Sequence, residues 1–335
     1  MAKLKKHQHV VPRTYLRGWA DSEGHISVLD RGSAAPQRRP VSNTAVRTQF
    51  YNMIGSDGAK TDAIENWLGN RIEAPVGPTL KALRSGGNIG DVDTVTIINF
   101  TVAQLIRTPT VFAIMAGIDE TTGPLLLLAE AAKTAGFDLL TLSEADRDRC
   151  VEVARRAWAA NRSASDTKAS SLRTMVRKLD EIATQVASWH WNVLTSSEPV
   201  LITGDSPVAT INPTGHRWSG LIPPGSPLWM PLSPTKLLVG EPTKPLRTQV
   251  DLPTELSTVV TAQLARQADR SLFNTPGVNW PAGLAFVAQK PTLAEPTITW
   301  GKQSGPLSFP AAYPPISSAE IGALLSEIGA VDRVE

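Results

Sequence analysis

A chain of 335 residues with 41% hydrophobic and 19% charged residues has enough apolar material for a sizeable core, which excludes a disordered or fibrous protein. A formal net charge of +2 decides neither for nor against a nucleic-acid partner, and the single cysteine, Cys150, excludes an internal disulfide and fits a reducing compartment. Charge is unevenly spread: Lys3, Lys5, Lys6, Arg13 and Arg17 cluster, and Arg31, Arg38, Arg39 and Arg47 follow. Such a basic start either attracts phosphate or is a plain solvated surface.

In chain order, the lysine-rich leader runs into polar residues without an apolar core, so no signal peptide is expected. The segment His9-Val10-Val11-Pro12-Arg13-Thr14-Tyr15-Leu16-Arg17-Gly18-Trp19-Ala20 packs an imidazole, a phenol, two guanidiniums and a large indole into a short span. Pro12 biases Val11 to an extended conformation, and a short helix or turn follows. His25 to Arg31 alternates like a strand, with 39–41 pairing back as a hairpin, and Phe50 to Met53 reads as a further strand. Asp62 with Glu65 has the form of a capping box, and Asp91 or Asp93 can cap a helix that ends near Pro109. Two helices are expected in 110–136. Asp119-Glu120 separates the apolar runs 111–118 and 125–132, so neither reaches the roughly 20 residues of a membrane span. Ser143 with Asp146 caps another helix to about Ala160, and 169–189 continues the helical pattern. From Trp189 onward short apolar runs are punctuated by prolines: 191–194, 200–203, 209–211, 228–231, 236–240 and 285–288. A helix over 254–272 interrupts them, and a capping box at Ser317 to Glu320 opens a C-terminal helix over 315–331.

Strands clustered after helices predict an α+β fold: a helical middle on a mostly antiparallel sheet made from the N-terminal hairpin and the C-terminal strands. The whole of 1–335 reads as one unit. Its sub-regions are 1–58 (motif and hairpin), 60–190 (helical), 191–300 (strand-rich) and 315–331. A soluble, cytoplasmic protein without a membrane partner is expected, and oligomeric state is left open.

Four segments carry a family resemblance. They are the His-x-Val-Pro-x-x-Tyr-Leu-Arg-x-aromatic-Ala start, Asn43 to Leu68 with its aromatic pair followed by an acid and a Trp, Gln104 to Pro109, and Trp191 to Val208 with Thr203-Gly204-Asp205-Ser206-Pro207. In this order, together with Pro231 to Pro234, they resemble the bacterial family known as domain of unknown function 4238, over roughly residues 3 to 275. Gln8 stands where the family often has a second His, and Val10 where Tyr is common. The resemblance implies boundaries and candidate residues but no reaction.

His9 is the foremost base or ligand candidate, the alternative being a histidine that positions the N-terminal segment through a backbone carbonyl. His7-x-His9 on a strand puts both rings on one face, yet His25, His190 and His216 show no regular spacing to complete a metal set, so metal and cofactor stay unknown. Tyr15 and Arg17 either work on substrate or form a structural pair, with Asp30, Glu65 and Asp205 as the acids to answer them. Asp205 follows an apolar strand as a catalytic acid often does, or it caps its own turn. Gln104 and Arg107 share a helix face, Arg266 and Arg270 another, and with Arg13 these are the substrate-binding candidates. The Gly-x-Ser-x-Gly and Gly-x-Gly-x-x-Gly frames are absent, which counts against a nucleophile elbow and a dinucleotide enzyme. Three classes remain: a hydrolase or nuclease-like enzyme acting on a phosphate-bearing or nucleic-acid substrate, a non-catalytic nucleic-acid-binding or defence-associated sensing module, and a structural or interaction protein.

Overall fold

The computed structural model describes residues 7–54, 59–136, 138–160, 164–211, 222–223, 225–243, 251–281, 284 and 286. The amino-terminal region builds β1 (His7–His9), α1 (Arg13–Leu16), β2 (His25–Asp30), β3 (Gln37–Pro40), β4 (Val46–Thr48), β5 (Met53–Ile54) and β6 (Lys60–Thr61). The middle holds α2 (Ala63–Leu68), α3 (Ala74–Arg84), α4 (Thr94–Ile106), α5 (Pro109–Thr134), α6 (Glu144–Ala160) and α7 (Ala164–Ala187). Then come β7 (His190–Thr195), β8 (Thr203–Gly204), β9 (Ala209–Thr210), β10 (Leu228–Ser233), β11 (Lys236–Glu241), α8 (Thr254–Gln267) and β12 (Ser271–Asn274). The fold is α+β.

The strands form two antiparallel four-stranded sheets, ordered β3-β2-β12-β8 and β7-β11-β10-β9, and two short pairs, β1-β4 and β5-β6. The hairpin β2-β3 therefore does join late strands, while the second sheet is drawn entirely from residues after 189. In β2 the alternation is physical: Ile26 and Val28 are buried and their neighbours are partly exposed. The core joins the N-terminal motif to α3, α4, α7 and the second sheet, with Tyr15, Leu16, Trp19, Phe100 and Trp229 wholly buried.

Several helix starts follow their expected chemistry. Asp93 accepts the Thr96 N–H at 3.3 Å, and Ser143 accepts that of Asp146 at 3.2 Å while its hydroxyl donates to the Asp146 carboxylate. Thr108 caps α5 ahead of Pro109. Other expectations are corrected. Asp62 makes no side-chain cap; its carboxylate takes the Asn66 amide at 2.9 Å instead. A π-helical turn, Gly69–Glu73, then links α2 to α3. Gln49 adopts a left-handed φ of 51°, which breaks the extended run, so Phe50 and Tyr51 lie in a turn rather than a strand. The two helices expected in 110–136 are the single helix α5, because the acidic pair Asp119-Glu120 does not interrupt a helix and Pro124 is accommodated inside it. By length and composition alone α5 matches a membrane span; it packs against α6 and α7. The helix expected over 254–272 stops at Gln267, for a reason given below. The C-terminal helix over 315–331 and most of the strand over 285–288 lie outside the described residues.

Candidate functional site

The His9–Ala20 segment is gripped from three sides. Arg107, 1% exposed at the C-cap of α4, donates from Nε to the Val10 carbonyl (2.8 Å), from Nη2 to the His9 carbonyl (2.7 Å) and from Nη1 to the Glu73 carboxylate (2.7 Å). Its guanidinium also sits 5.7 Å over the ring of Tyr51. Gln8, wholly buried, donates to Asn52 Oδ1 at 2.6 Å and accepts the Tyr51 N–H at 2.7 Å. Here the family's alternative histidine position is filled by an amide that satisfies a partner on each side. The Tyr15 hydroxyl donates to the Pro231 carbonyl at 2.5 Å and lies 2.8 Å from Thr203 Oγ1. Burial pushes the phenol far above its ordinary value, so it stays neutral.

Sequence reasoning passed over Arg84. Its guanidinium donates to the carbonyls of Leu232 (2.8 Å), Tyr15 (2.7 Å) and Thr14 (3.2 Å), and burial lowers its pKa to about 10. Gly18 makes room for it, since a Cβ there would lie 2.5 Å from Arg84 Cζ.

The remaining candidates are dispersed. The His9 ring is half-buried, with Nε2 3.2 Å from the Ser42 carbonyl and 3.3 Å from Arg13 Nε. A single tautomer serves only one of these: a protonated Nε2 donates to Ser42, a bare one accepts from Arg13. Burial first, then the Arg13 charge, lowers the His9 pKa and favours the neutral imidazole. Arg17 is exposed and makes no side-chain bond among the described residues. Gln104 is wholly buried on α4, with neither amide atom partnered among the described residues. Among those residues no group of three or more His, Cys, Asp or Glu gathers to hold a metal, and His7 is exposed on β1.

Asp205 is 3% exposed, and its carboxylate accepts three backbone N–H groups: Asp269 at 2.9 Å, Arg270 at 2.7 Å and Ser271 at 3.1 Å. These bonds fix the exit from α8, which is why that helix stops short and Arg270 does not share a helical face with Arg266. Burial and the neighbouring Asp269 carboxylate push the Asp205 pKa up to about 6, while the three N–H groups pull it down.

Beside Asp205 opens a polar cavity of about 190 Å³. Val10, Val46 and Ala45 line it from the β1-β4 ribbon, with Asp30, Arg39, Arg47, Arg270 and Ser271 around them. Arg39 Nη2 binds Asp30 (2.5 Å) and Gln37 (2.7 Å), while Arg47 Nη2 binds Asp269 (2.6 Å). Burial works against Asp30, but Arg39 and the Ser271 hydroxyl at 2.5 Å hold its carboxyl below its ordinary value. The side chain of Arg270 is exposed and makes no hydrogen bond among the described residues. Ala45 turns the wall with a left-handed φ of 56°, a conformation an L-residue adopts at a cost of about 1–2 kcal/mol.

The structure thus brings Asp205 and Arg270 to one cavity, with Val10 placing His9 one residue from its wall. Tyr15, Gln104 and Arg107 lie in the core, and Arg13 lies on the far end of the His9 ring. Arg39 and Arg47 were visible in the sequence only as members of a basic run, because which arginines converge depends on strand pairing between distant segments.

Fold and site together define an α+β protein with a polar cavity lined by three arginines and two aspartates. The family model described as "Protein of unknown function (DUF4238)" matches residues 7–276, and the chain belongs to that family. No curated protein and no solved structure matches it.

Proposed function

We propose that this protein is a binding module for a small phosphate-bearing ligand, seated in the cavity between β2-β3, the β1-β4 ribbon and the start of β12. The observation that carries this reading is a surplus of donors. Three guanidiniums line one cavity, yet among the described residues only Nη2 of Arg39 and of Arg47 is hydrogen-bonded, and Arg270 donates no side-chain hydrogen bond, acting on Asp30 by its charge alone. Both carboxylates that line the cavity are already partnered: Asp205 by three backbone N–H groups, and Asp30 by Arg39 and the Ser271 hydroxyl. Guanidinium forks suit phosphoryl oxygens, and the cavity admits a phosphoryl group rather than a folded nucleic acid.

Isothermal titration calorimetry with inorganic phosphate and with pyrophosphate tests it. The wild type is expected to bind at least one of them, weakening as salt rises. Arg270→Gln is expected to lose about tenfold in affinity, the equivalent of about 1.4 kcal/mol, with its melting temperature unchanged because the side chain supports no internal bond. No heat with either probe from the folded wild type sinks the reading.

A hydrolase reading draws support from a single feature: a half-buried His9 ring favoured in its neutral form, one residue along the chain from Val10 of the cavity lining. Cleavage of labelled RNA and DNA with Mg²⁺, Mn²⁺ or EDTA, compared with a folded His9→Ala variant, decides it. Turnover lost in the variant would make the module an enzyme.

A further inference from the structure

A second cleft, of about 360 Å³, lies at the other end of β4, where the chain passes from Thr48 through Gln49 to Phe50. Its walls are of two kinds. Phe50 and Phe112, both half-buried, meet edge to face with ring centres 4.9 Å apart, and wholly buried Tyr51 backs them, 4.9 Å from Phe50. Opposite stand Lys168 and Ser171 of α7. We propose that this cleft binds a planar aromatic ring carrying one anionic group, with the ring against Phe50 and Phe112 and the charge on Lys168.

The argument begins with Lys168. Its ammonium is partly buried and donates one hydrogen bond, to the Gln49 carbonyl at 2.6 Å, which leaves two of its three N–H groups unused among the described residues. No carboxylate among those residues pairs with it, and Lys60, which also bonds Gln49, adds a second positive charge nearby. Burial and Lys60 both lower the Lys168 pKa, so the site gains from an anion that neutralises it. A partly desolvated cation without an acid is costly in an empty protein and favourable in a liganded one. The aromatic edges bear on what accompanies the anion: half-exposed phenyl rings gain ring–ring geometry, beyond the burial of apolar area, from another flat ring. The volume falls in the range of small-ligand sites. Gln49 holds both sides together through its left-handed backbone, since its carbonyl faces Lys168 while the next residue presents the phenyl ring. This site shares no lining residue with the arginine cavity and stands apart from the phosphate-binding reading.

Ring and charge can come from a nucleoside monophosphate or from an aromatic carboxylate, and saturation-transfer NMR separates the sources. The probes are adenosine monophosphate, adenosine, naphthalene-2-carboxylate and 2-naphthol. Transfer to ring protons is expected for one or both anionic probes and to be weaker for the neutral partner of each. A response to one anionic probe alone identifies the source. Lys168→Gln and Phe112→Leu should each weaken binding about tenfold, Lys168→Arg should restore it, and Arg270→Gln should leave the naphthalene-2-carboxylate signal, and the dependence of either signal on Lys168, untouched. The proposal fails if neither anionic probe responds, if the neutral probes respond equally, or if Phe112→Leu and Lys168→Gln are silent. It fails equally if Arg270→Gln abolishes the naphthalene-2-carboxylate signal or the dependence on Lys168, which would assign the binding to the arginine cavity.

Discussion

At the scale of single residues, the buried guanidiniums that meet the N-terminal motif, Arg84 and Arg107, are engaged in holding its backbone. Arg107 is the clearest instance. Its three bonds run to two main-chain carbonyls and one carboxylate, and at 1% exposure it presents no surface to a ligand. Arg107→Ala strands those acceptors in the interior and is expected to cost about 3–5 kcal/mol in urea unfolding; a loss below 1 kcal/mol would show that the grip is not structural. The sequence signals for a structural and for a catalytic arginine are the same, since both call for a charge near a helix end. What separates them is the partner, and the partners of Arg107 lie 97 and 98 residues away at Val10 and His9. Local pattern carries no information about that pairing.

Elements were more legible than residues because their causes are local. The alternation of β2, the proline that opens α5 and the caps at Asp93 and Ser143 are each decided within a few positions. Where elements departed from expectation, a tertiary bond intervened. The end of α8 is set by Asp205, more than sixty residues upstream, through the N–H groups of 269, 270 and 271. Asp205→Ala leaves three donors without an acceptor and should destabilise by about 3–5 kcal/mol. It should also remove slow amide exchange at 269–271, which hydrogen-exchange mass spectrometry reads directly. Unchanged protection there would show that the strand pairing of β12, not the carboxylate, fixes the turn.

For the molecule as a whole, the two large sheets make the stability of distant segments interdependent, and pH acts on the sum. Glu241, at the end of β11, has its pKa raised by burial to about 7 from 4.5. A raised carboxyl binds its proton more tightly in the folded state. Its stabilising contribution is therefore complete below about pH 4.5 and is lost as pH climbs through 7. Glu241→Gln removes this loss, so the variant should gain on the wild type between pH 5 and pH 8 in paired unfolding curves. Other titrating groups, His9 among them, are common to both proteins and cancel in the difference. A gap that does not change with pH would mean that Glu241 is solvated in the folded chain.

The bond from Tyr15 to Pro231 spans 216 residues, and that to Thr203 spans 188. On a ribosome the phenol is made early and its acceptors late. At about 5–20 residues per second the wait is on the order of ten to forty seconds. Throughout that time Leu16, Trp19 and the Tyr15 ring, all destined for the interior, have no strand to cover them. The most recognisable part of this protein is thus one that a nascent chain must keep shielded until most of the fold has been made. A cell short of chaperones should lose full-length product through this exposure, before any ligand has been met.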